Sequence, residues 1–341
     1  MHSVGCSDRL RRVSRIFALG LLSLLTVPAA AQSLPESVLK TGDRLRAAFR
    51  PVVADARHSS VRILVDGEPA ALGVIVSESG HILTKSSQLR GKVTVLLPDE
   101  REVAAKKISS DGESDLALIK VAVSTKLRPV AWAEDEPPVG SWLVSVGQER
   151  MPVGVGVVSV TGREIAPQRG VLGIYLGDDP DGPMVEDVFP GSGADEAGLE
   201  RGDVIVSVDG RTVPTRRALL ELLSGFRPGD SLPLIVRRGD GQEELLATLG
   251  NESTTMVDRQ ARQNMMAGPL SVRSGGFDLA LQHDTVLRPE DCGGPVVDLA
   301  GRVVGLNIAR AGRVESYALP TAAIRPILAK LMADETWTAK K

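Results

Sequence analysis

The sequence predicts a mainly β protein in which an all-β unit is interrupted by a smaller second module. The chain has 341 residues and is rich in glycine and proline (35 and 21) but only 3% aromatic, a balance typical of short strands and tight turns. Apolar residues alternate or form short runs between residues 61 and 160, and the same pattern returns from residue 277. A hydrophobic content of 43% over this length is enough for two domains with cores of their own.

The first elements follow in order from this pattern. Residues 34–57 carry apolar side chains at helical spacing and predict one amphipathic helix, broken near Pro51. Short apolar runs separated by Gly, Pro, Asp or Ser then predict strands without intervening helices, as in an antiparallel barrel or sandwich. These runs lie at residues 61–65, 70–76, 81–84, 93–97, 116–121, 142–146 and 153–160.

A different pattern begins at about Gly170 and ends before residue 277. It contains a helical stretch, ALLELLSG, and a strand, LPLIVRRGDG, and is followed by a polar segment at residues 252–274 that is predicted to be a linker. Strands resume at residues 277–282, 294–297, 303–308 and 317–319, and a short helix at 322–332 precedes a polar tail. The all-β unit is therefore interrupted, which an exposed loop tolerates when the ends of the inserted module lie close together.

Charge and rare residue types exclude several classes of function. The net charge is −3, and no block of lysine or arginine occurs beyond the N-terminus, so we expect no nucleic-acid partner. Two cysteines and four histidines leave little room for a disulfide scaffold or a zinc site. We therefore expect no metal and no cofactor.

The first 31 residues have the features of a secretory signal peptide. Arginines 9, 11, 12 and 15 precede an apolar run at residues 16–27, and Ala29-Ala30-Ala31 supplies the small-x-small pattern of a cleavage site. The run is too short to span a bilayer, which needs about 20 residues, although an uncleaved anchor is the alternative. We predict cleavage after Ala31, no stable membrane span, and a periplasmic or secreted protein. Cys292 is then the one remaining cysteine.

The strongest motif lies in the central module. Residues 190–205 read P-G-S-x-A-x-x-A-G-L-x-x-G-D-V-I and follow the stretch VLGI at residues 171–174. Over residues 168–249 the chain resembles a PDZ domain of the bacterial HtrA type. The resemblance implies that a peptide C-terminus binds here by adding a strand to the edge of a sheet.

The resemblance also implies which residues bind that peptide. The backbone N–H groups of one loop would hold the terminal carboxylate, and a helix would form the other wall of the groove. The loop consists of Val171, Leu172, Gly173 and Ile174, and the helix contributes Leu219 and Leu223. For at least half of the helix leucines, we expect the side chain to belong only to the core.

Three further stretches carry a second resemblance. Residues 72–84 contain LGVIV and GHILT, residues 111–120 read DGESDLALIK, and residues 282–297 read QHDTVLRPEDCGGPVV. Over residues 58–166 and 276–330 the chain is similar to the trypsin-like protease domain of HtrA (Deg) proteins. The resemblance implies a double β-barrel with a substrate cleft, which the PDZ domain interrupts before the nucleophile segment.

Carried over position by position, the catalytic triad is degenerate. Asp115 keeps the carboxylate, the histidine position falls at Ser87 and the nucleophile position at Cys292, while the glycine of the oxyanion hole falls at Glu290. A serine hydroxyl cannot act as a general base near pH 7. An unassisted thiol with a pKa of about 8.5 is only a few per cent thiolate there. Glu290 also places a side chain where glycine's backbone freedom serves the oxyanion donor.

Another histidine would have to replace the missing base. His81 lies six residues before Ser87, about 20 Å along an extended strand. His58 precedes the first strand, and His283 lies nine residues before Cys292. We expect none of the three to act as the base, and we expect the thiol to be a small, semi-buried side chain.

The predicted organisation has seven parts. They are a signal peptide at 1–31, a helical segment at 32–57, the two parts of the trypsin-like domain at 58–166 and 276–330, a PDZ domain at 168–249, a linker at 250–275 and a tail at 331–341.

These features favour an exported, catalytically inactive protease homologue. Its expected partners are peptides, protein C-termini and unfolded envelope proteins, bound through the PDZ domain and a residual cleft. Two alternatives stay open: an active HtrA-like endopeptidase with Cys292 as nucleophile, and a redox sensor built on that thiol. The sequence also leaves homo-oligomerisation open.

Overall fold

The computed structural model of the chain describes residues 35, 39–251 and 268–338. The predicted signal peptide and its cleavage site lie outside these residues, as does most of the predicted linker. Among the described residues, no helix combines the length and the apolar character that a membrane crossing requires.

The N-terminal helical segment is shorter than the sequence predicts. It consists of α1 (Asp43–Ala48) and α2 (Arg50–Val53), followed by a 3₁₀ turn at Ala56–Ser59. The break between the two helices falls at Phe49, so Pro51 lies in the first turn of α2. Proline is tolerated at that position, because the N–H groups of the first turn have no partner within the helix.

The first barrel contains six antiparallel strands. They are β1 (Ser60–Val65), β2 (Glu68–Ile75), β3 (His81–Lys85), β4 (Val93–Leu96), β5 (Glu102–Asp111) and β6 (Leu116–Val121). The sheet closes in the order β1-β2-β3-β6-β5-β4. Alternate residues of each strand point inward, so Val61 and Ile63 of β1 pack with Ile82 and Ile119 in its interior.

The chain then starts a second barrel and leaves it. The next elements are β7 (Trp142–Ser145), β8 (Gly154–Ile165), β9 (Ile174–Asp179), β10 (Gly182–Val188), α3 (Gly193–Glu196), β11 (Val204–Val208), β12 (Arg211–Thr212), α4 (Arg216–Leu223), β13 (Ser231–Arg238) and β14 (Gly241–Thr248). Strands β9 to β14 form a separate sheet of order β14-β13-β11-β10-β9, with β12 beside β11. Helix α4 begins where the Thr215 hydroxyl accepts the Ala218 N–H at 3.2 Å, a side-chain cap.

The last elements complete the second barrel. They are β15 (Phe277–His283), a 3₁₀ turn at Pro289–Asp291, β16 (Pro295–Val297), β17 (Val303–Gly312), β18 (Glu315–Pro320) and α5 (Thr321–Thr338). The barrel closes in the order β15-β18-β17-β16-β7-β8. Helix α5 continues six residues beyond the predicted one. The fold is therefore the predicted one, a double β-barrel interrupted by a separate α+β module.

The chain leaves and re-enters the second barrel at one place. Ile165, the last residue of β8, pairs with Phe277, the first residue of β15. The inserted module also closes on itself, because the N–H groups of Val171 and Gly250 each donate to the other's carbonyl, at 2.8 and 2.9 Å. Both ends of the insertion are thus close together, which lets the barrel strands keep their register.

One continuous core joins the two barrels. Leu83 and Leu118 of the first barrel pack with Phe277 and Leu306 of the second, and Ile324 of α5 covers the seam. The inserted module has a separate core of its own. The candidate site lies at the seam, where β3, the turn between β5 and β6, and the turn before β16 meet.

Candidate active site

The structure brings Ser87 and Asp115 into direct contact. The Asp115 carboxylate accepts the Ser87 N–H at 2.7 Å through Oδ1 and the Ser87 hydroxyl at 2.9 Å through Oδ2. Asp115 has a positive φ of 60°, and its carbonyl accepts the Ser86 N–H at 2.8 Å. The carboxylate therefore holds the backbone of the segment in which a triad histidine would stand, and both of its oxygens already accept a hydrogen bond.

A buried lysine that the sequence analysis missed occupies this site. The Lys85 ammonium lies 3.5 Å from Asp115 Oδ2 and donates to the carbonyls of Arg273 and Ile308 at 3.0 and 2.7 Å. Its side chain is 1% exposed. All three partners are acceptors, and only a protonated amine offers three donors. The available signal was the position of a lysine directly after the apolar run HILT, at the end of a buried strand.

Cys292 makes no hydrogen bond with Ser87 or Asp115. Its Sγ is 3.8 Å from the Ser271 hydroxyl and 3.8 Å from the Arg288 carbonyl, and the side chain is wholly buried. Burial raises the pKa of the thiol, which the nearby charge of Lys85 opposes. The thiol is therefore more deeply buried than the sequence predicts, and it is held in the neutral form.

The backbone N–H of Cys292 is not free to act as an oxyanion donor. The Pro289–Asp291 segment forms a 3₁₀ turn, in which the Cys292 N–H donates to the Pro289 carbonyl at 3.1 Å. An oxyanion hole needs this donor free and directed at the reacting carbonyl. Glu290 stands at the predicted oxyanion position, and its carboxylate lies 3.7 Å from the Arg288 guanidinium.

Gly293, which follows Cys292, requires glycine at its position. Its φ is +90°, and a Cβ there would overlap the Leu72 carbonyl. Leu72 of the first barrel also donates its N–H to the Cys292 carbonyl at 2.9 Å. This hydrogen bond joins the two barrels. The nucleophile segment is thus held tightly against β2.

None of the three histidines in the described residues makes a hydrogen bond with Cys292. His81 contacts the Ser77 hydroxyl at 2.6 Å at the start of β3. His58 lies in the 3₁₀ turn before β1. His283 is wholly buried, its Nδ1 lies 2.8 Å from the Thr285 hydroxyl, and burial lowers its pKa to about 4. An imidazole with that pKa is a weak base at neutral pH.

The inserted module covers the Ser87–Asp115 pair. The loop after α4, residues 224–230, lies across the first barrel, and Arg227 Nη1 donates to the Gly112 carbonyl at 2.9 Å. A cavity of about 390 Å³ remains between this loop and the pair, with Gly229 among its lining residues. The residual site is therefore a small, polar space between the two modules.

The inserted module presents an open loop and an open strand edge. The carbonyls of Leu172 and Gly173 accept the N–H groups of Ala194 and Phe189 at 3.0 and 2.9 Å. The N–H groups of Leu172 and Gly173 donate to no group of the described residues. Strand β9, which begins at Ile174, pairs only with β10 within the described sheet. Unpaired N–H groups beside a free edge are the arrangement that captures a peptide carboxylate.

The two helix leucines assigned to the groove lie in the core. Leu219 is fully buried and Leu223 is 8% exposed, and both pack with Leu172. The exposed side chains nearby are Leu220 on α4 and Tyr175 on β9. The Tyr175 ring contacts the Phe189 ring at a tilt of 41°, with ring centroids 4.7 Å apart. The role of Leu219 and Leu223 as a groove wall stays a prediction.

Two family models match the chain. Residues 170–249 match the PDZ domain, and residues 71–186 match the trypsin-like peptidase domain. The peptidase match includes Ser87 and Asp115 and ends before Cys292. The peptidase match ends there because the remaining strands of the second barrel follow only after the PDZ domain.

Several curated proteins are similar to the chain. A probable periplasmic serine endoprotease DegP-like of Hahella chejuensis is 26% identical over 261 residues, 51% of this chain and 56% of that protein. The periplasmic pH-dependent serine endoprotease DegQ of Escherichia coli is 23% identical over 325 residues, 69% of this chain and 70% of that protein. A probable periplasmic serine protease do/HhoA-like of Haemophilus influenzae is 33% identical over 117 residues, 31% of this chain and 24% of that protein.

The two domains together with these relatives identify the class: a trypsin-like peptidase fold that carries a PDZ domain. In both domains the chain is similar to the HtrA-like proteases of the DegP and DegQ type. It spans little more than half the length of the DegP-like relatives it matches, 56% for the one from Hahella chejuensis.

Proposed function

We propose that this chain is an exported HtrA-like protein whose peptidase site is inactive and which binds peptide C-termini through its PDZ domain. One observation carries the inactive assignment: Ser87 stands at the position of the histidine base and is hydrogen-bonded to Asp115. No described imidazole contacts Cys292. Nothing there can take the proton of the nucleophile or return one to the leaving amine.

Lys85 does not supply the missing base. Its ammonium donates to two carbonyls and lies 3.5 Å from the Asp115 carboxylate. In the described residues the hydrogen-bond contacts of Cys292 Sγ are with Ser271 and Arg288, and none is with Lys85. The Lys85 side chain is thus engaged away from the thiol.

The backbone at Cys292 adds a second deficit. Its N–H is used by Pro289 within the 3₁₀ turn. General acid–base catalysis is typically worth about 10²–10⁴-fold, and one oxyanion donor about 10²–10³-fold. Either loss would leave turnover too slow for a working peptidase, even if the two effects do not multiply.

Peptide binding is supported by the loop at residues 171–174. The N–H groups of Leu172 and Gly173 have no partner in the described chain, and β9 offers a free edge for a further strand. Export is supported by the arginines, the apolar run and Ala29-x-Ala31 in the first 31 residues, and by the word periplasmic in the names of the relatives. Unfolded envelope proteins are the expected source of such peptides.

A proteolysis assay tests the inactive assignment. Purified protein and the variant Cys292→Ala are incubated with unfolded casein, and fragments are followed by mass spectrometry. We expect neither protein to cleave casein. Cleavage by the wild type that disappears in Cys292→Ala would establish the alternative, an endopeptidase with Cys292 as nucleophile. Cleavage that both proteins share equally would come from a contaminant and leave the assignment standing.

A binding assay tests the PDZ assignment. Fluorescent peptides with an apolar C-terminal residue, in free-acid and C-terminal amide forms, are titrated with the protein. We expect the amide to bind at least tenfold more weakly, because the loop would lose its carboxylate. Gly173→Val should weaken binding, since φ at Gly173 is +87°, whereas Gly210→Ala, also at positive φ but in open space after β11, should not. Equal affinities for acid and amide would contradict the assignment.

A further inference from the structure

The segment that enters β15, residues 268–276 (GPLSVRSGG), is called the entry segment here. It has no regular secondary structure, yet Leu270, Ser271, Arg273 and Ser274 are all buried. The sequence predicts linker over most of this stretch because residues 252–274 as a whole are polar and include few β-branched residues. A polar segment that is buried must have its hydrogen bonds satisfied, so the partners of the entry segment identify what it is packed against.

The entry segment pairs with the edge of β17. The Ser271 N–H donates to the Arg310 carbonyl at 2.9 Å, and the Arg310 N–H donates to the Ser271 hydroxyl at 3.0 Å. Strand β16 and the two glycines before it pair with β17 only as far as Asn307, whose N–H and carbonyl bond Gly294 and Gly293, so the edge beyond Asn307 is left to another strand. An open edge of this kind is where an extended peptide adds by β-augmentation.

The same segment covers the Cys292 region. The Ser271 hydroxyl lies 3.8 Å from Cys292 Sγ, and the Arg273 carbonyl accepts a hydrogen bond from Lys85 at 3.0 Å. Cys292 has no exposed surface. A peptide that reached the thiol along β17 would need the space that Ser271 and its neighbours occupy.

Two side chains fasten the entry segment. Arg273 donates to the carbonyls of Gly112 and Glu113 at 2.5 and 2.6 Å, and its guanidinium lies 5.5 Å from the ring centroid of Phe277. From the PDZ side, the Asn251 amide donates to the carbonyls of Ser271 and Val272 at 3.2 and 2.8 Å. The segment is thus fixed both to the first barrel and to the end of the PDZ domain.

We propose that the entry segment of this chain fills the residual cleft of the trypsin-like domain along the edge of β17, and that an extended peptide reaches Cys292 only when this segment is released. Such a peptide would replace the hydrogen bonds of Ser271 with Arg310. The inference deepens the proposed function, because it names the part of the chain that closes the residual cleft. It does not depend on whether the barrel is catalytically inactive.

The test measures how readily Cys292 reacts with iodoacetamide, read by mass spectrometry of the peptide that contains it. Wild type is compared with Arg273→Ala, which removes the fastening to Gly112 and Glu113, and with Arg217→Ala as an exposed control on α4. We expect at least a tenfold faster reaction in Arg273→Ala and an unchanged rate in Arg217→Ala. A rate for Arg273→Ala within twofold of the wild type would overturn the proposal.

Denaturant dependence separates local release from global unfolding. Local opening exposes little surface, so the reaction rate should change little at low urea, while global unfolding follows the full urea dependence seen by circular dichroism. A rate that tracks global unfolding in every variant would also overturn the proposal. Ser271→Gly, which removes only one hydroxyl, is measured in parallel and should react a few-fold faster, should Arg273→Ala fail to fold.

A synthetic peptide of residues 268–276 tests the ligand class. Added in excess to Arg273→Ala, it should slow the alkylation of Cys292, whereas a scrambled peptide should not. Equal effects of the two peptides would show that the β17 edge does not bind peptide. Casein cleavage by the wild type would contradict the inactive assignment, but it would leave these alkylation rates, and thus the test of the entry segment, unaffected.

Discussion

Lys85 and Asp115 form an ion pair inside the seam between the barrels. Both side chains are almost fully buried, at 1% and 2% exposed. Desolvation of two charges is costly, so such a pair persists only when further hydrogen bonds satisfy both partners. Here Ser87 satisfies the carboxylate, and the carbonyls of Arg273 and Ile308 satisfy the ammonium. The carboxylate predicted for the triad, Asp115, is thus part of a structural ion pair with a lysine two residues before Ser87.

This pair predicts a strong asymmetry between single and double substitutions. Lys85→Met should lower the free energy of unfolding by about 3–5 kcal/mol, because it leaves Asp115 charged and buried. Adding Asp115→Asn should restore much of that loss, because no unpaired charge then remains. Urea titration of both variants measures the difference. The exposed pair Lys126–Glu78 is the control, and Lys126→Met should have no measurable effect. Equal losses in the single and double variants would refute this account.

His283 predicts a dependence of stability on pH. Burial lowers its pKa from 6.5 to about 4, so the unfolded chain binds a proton in this range that the folded chain excludes. The free energy of unfolding is therefore undiminished by His283 above pH 6.5. It falls by about 2–4 kcal/mol as the pH is lowered from 6.5 toward 4. Urea titrations between pH 7 and 4.5 should show this slope in the wild type and a smaller one in His283→Asn. Parallel curves for the two proteins would exclude His283 as the cause.

Within the PDZ domain, one ion pair connects the ends of two strands. At the end of β13, Arg238 donates through Nε and Nη2 to the two oxygens of Asp203, which precedes β11, at 2.8 Å each. Burial raises the pKa of Asp203, but the hydrogen bonds from Arg238 and from the Glu200 N–H outweigh it and hold the pKa below its usual value. The bidentate geometry aligns β11 with β13.

Arg238→Ala should therefore destabilise the PDZ domain. We expect a loss of about 1.5–3 kcal/mol, the range for hydrogen bonds to charged groups, because Asp203 remains buried without its partner. Arg238→Lys should recover only part of it, because an ammonium cannot make the two parallel bonds. Thermal unfolding followed by circular dichroism distinguishes the three proteins. A lysine variant as stable as the wild type would show that charge alone suffices.

At the scale of the whole molecule, the PDZ domain is an insertion with its own core and its own closure. Val171 and Gly250 exchange two hydrogen bonds at its ends, and Leu249 and Leu172 pack in one cluster with the rest of its apolar side chains. Contacts with the barrels are few and polar, such as Arg227 with Gly112 and Arg90 with Thr248. Interfaces of this kind contribute little to the stability of either domain.

We therefore expect residues 168–251 to fold when expressed alone. The isolated domain should unfold cooperatively and bind a C-terminal free-acid peptide within a few-fold of the affinity of the full chain, because the loop at residues 171–174 lies inside it. Circular dichroism and fluorescence anisotropy measure the two properties. A fragment without cooperative unfolding would place part of its stability in the barrels.

The class of fold and the residues that depart from a catalytic triad could both be predicted from the sequence alone. Local geometry depends on the residues of each short stretch of chain. It can therefore be predicted from the period-two runs, from the glycine at residue 173 and from the motif at residues 190–205. The substitutions at Ser87 and Cys292 could be read for the same reason, because a triad depends on residue type at fixed positions.

The groups that fill the site could not be predicted from the sequence, because long-range contacts bring them together. The partners of Lys85 are backbone carbonyls 188 and 223 residues away along the chain. Because every residue has a backbone carbonyl, the type of residue at a position does not predict such a contact. For the same reason the entry segment reads as linker until the edge of β17 is seen beside it. The hydrogen bond from the Cys292 N–H to Pro289 depends on a single backbone turn, which packing against β2 and β17 selects and which apolar periodicity does not encode.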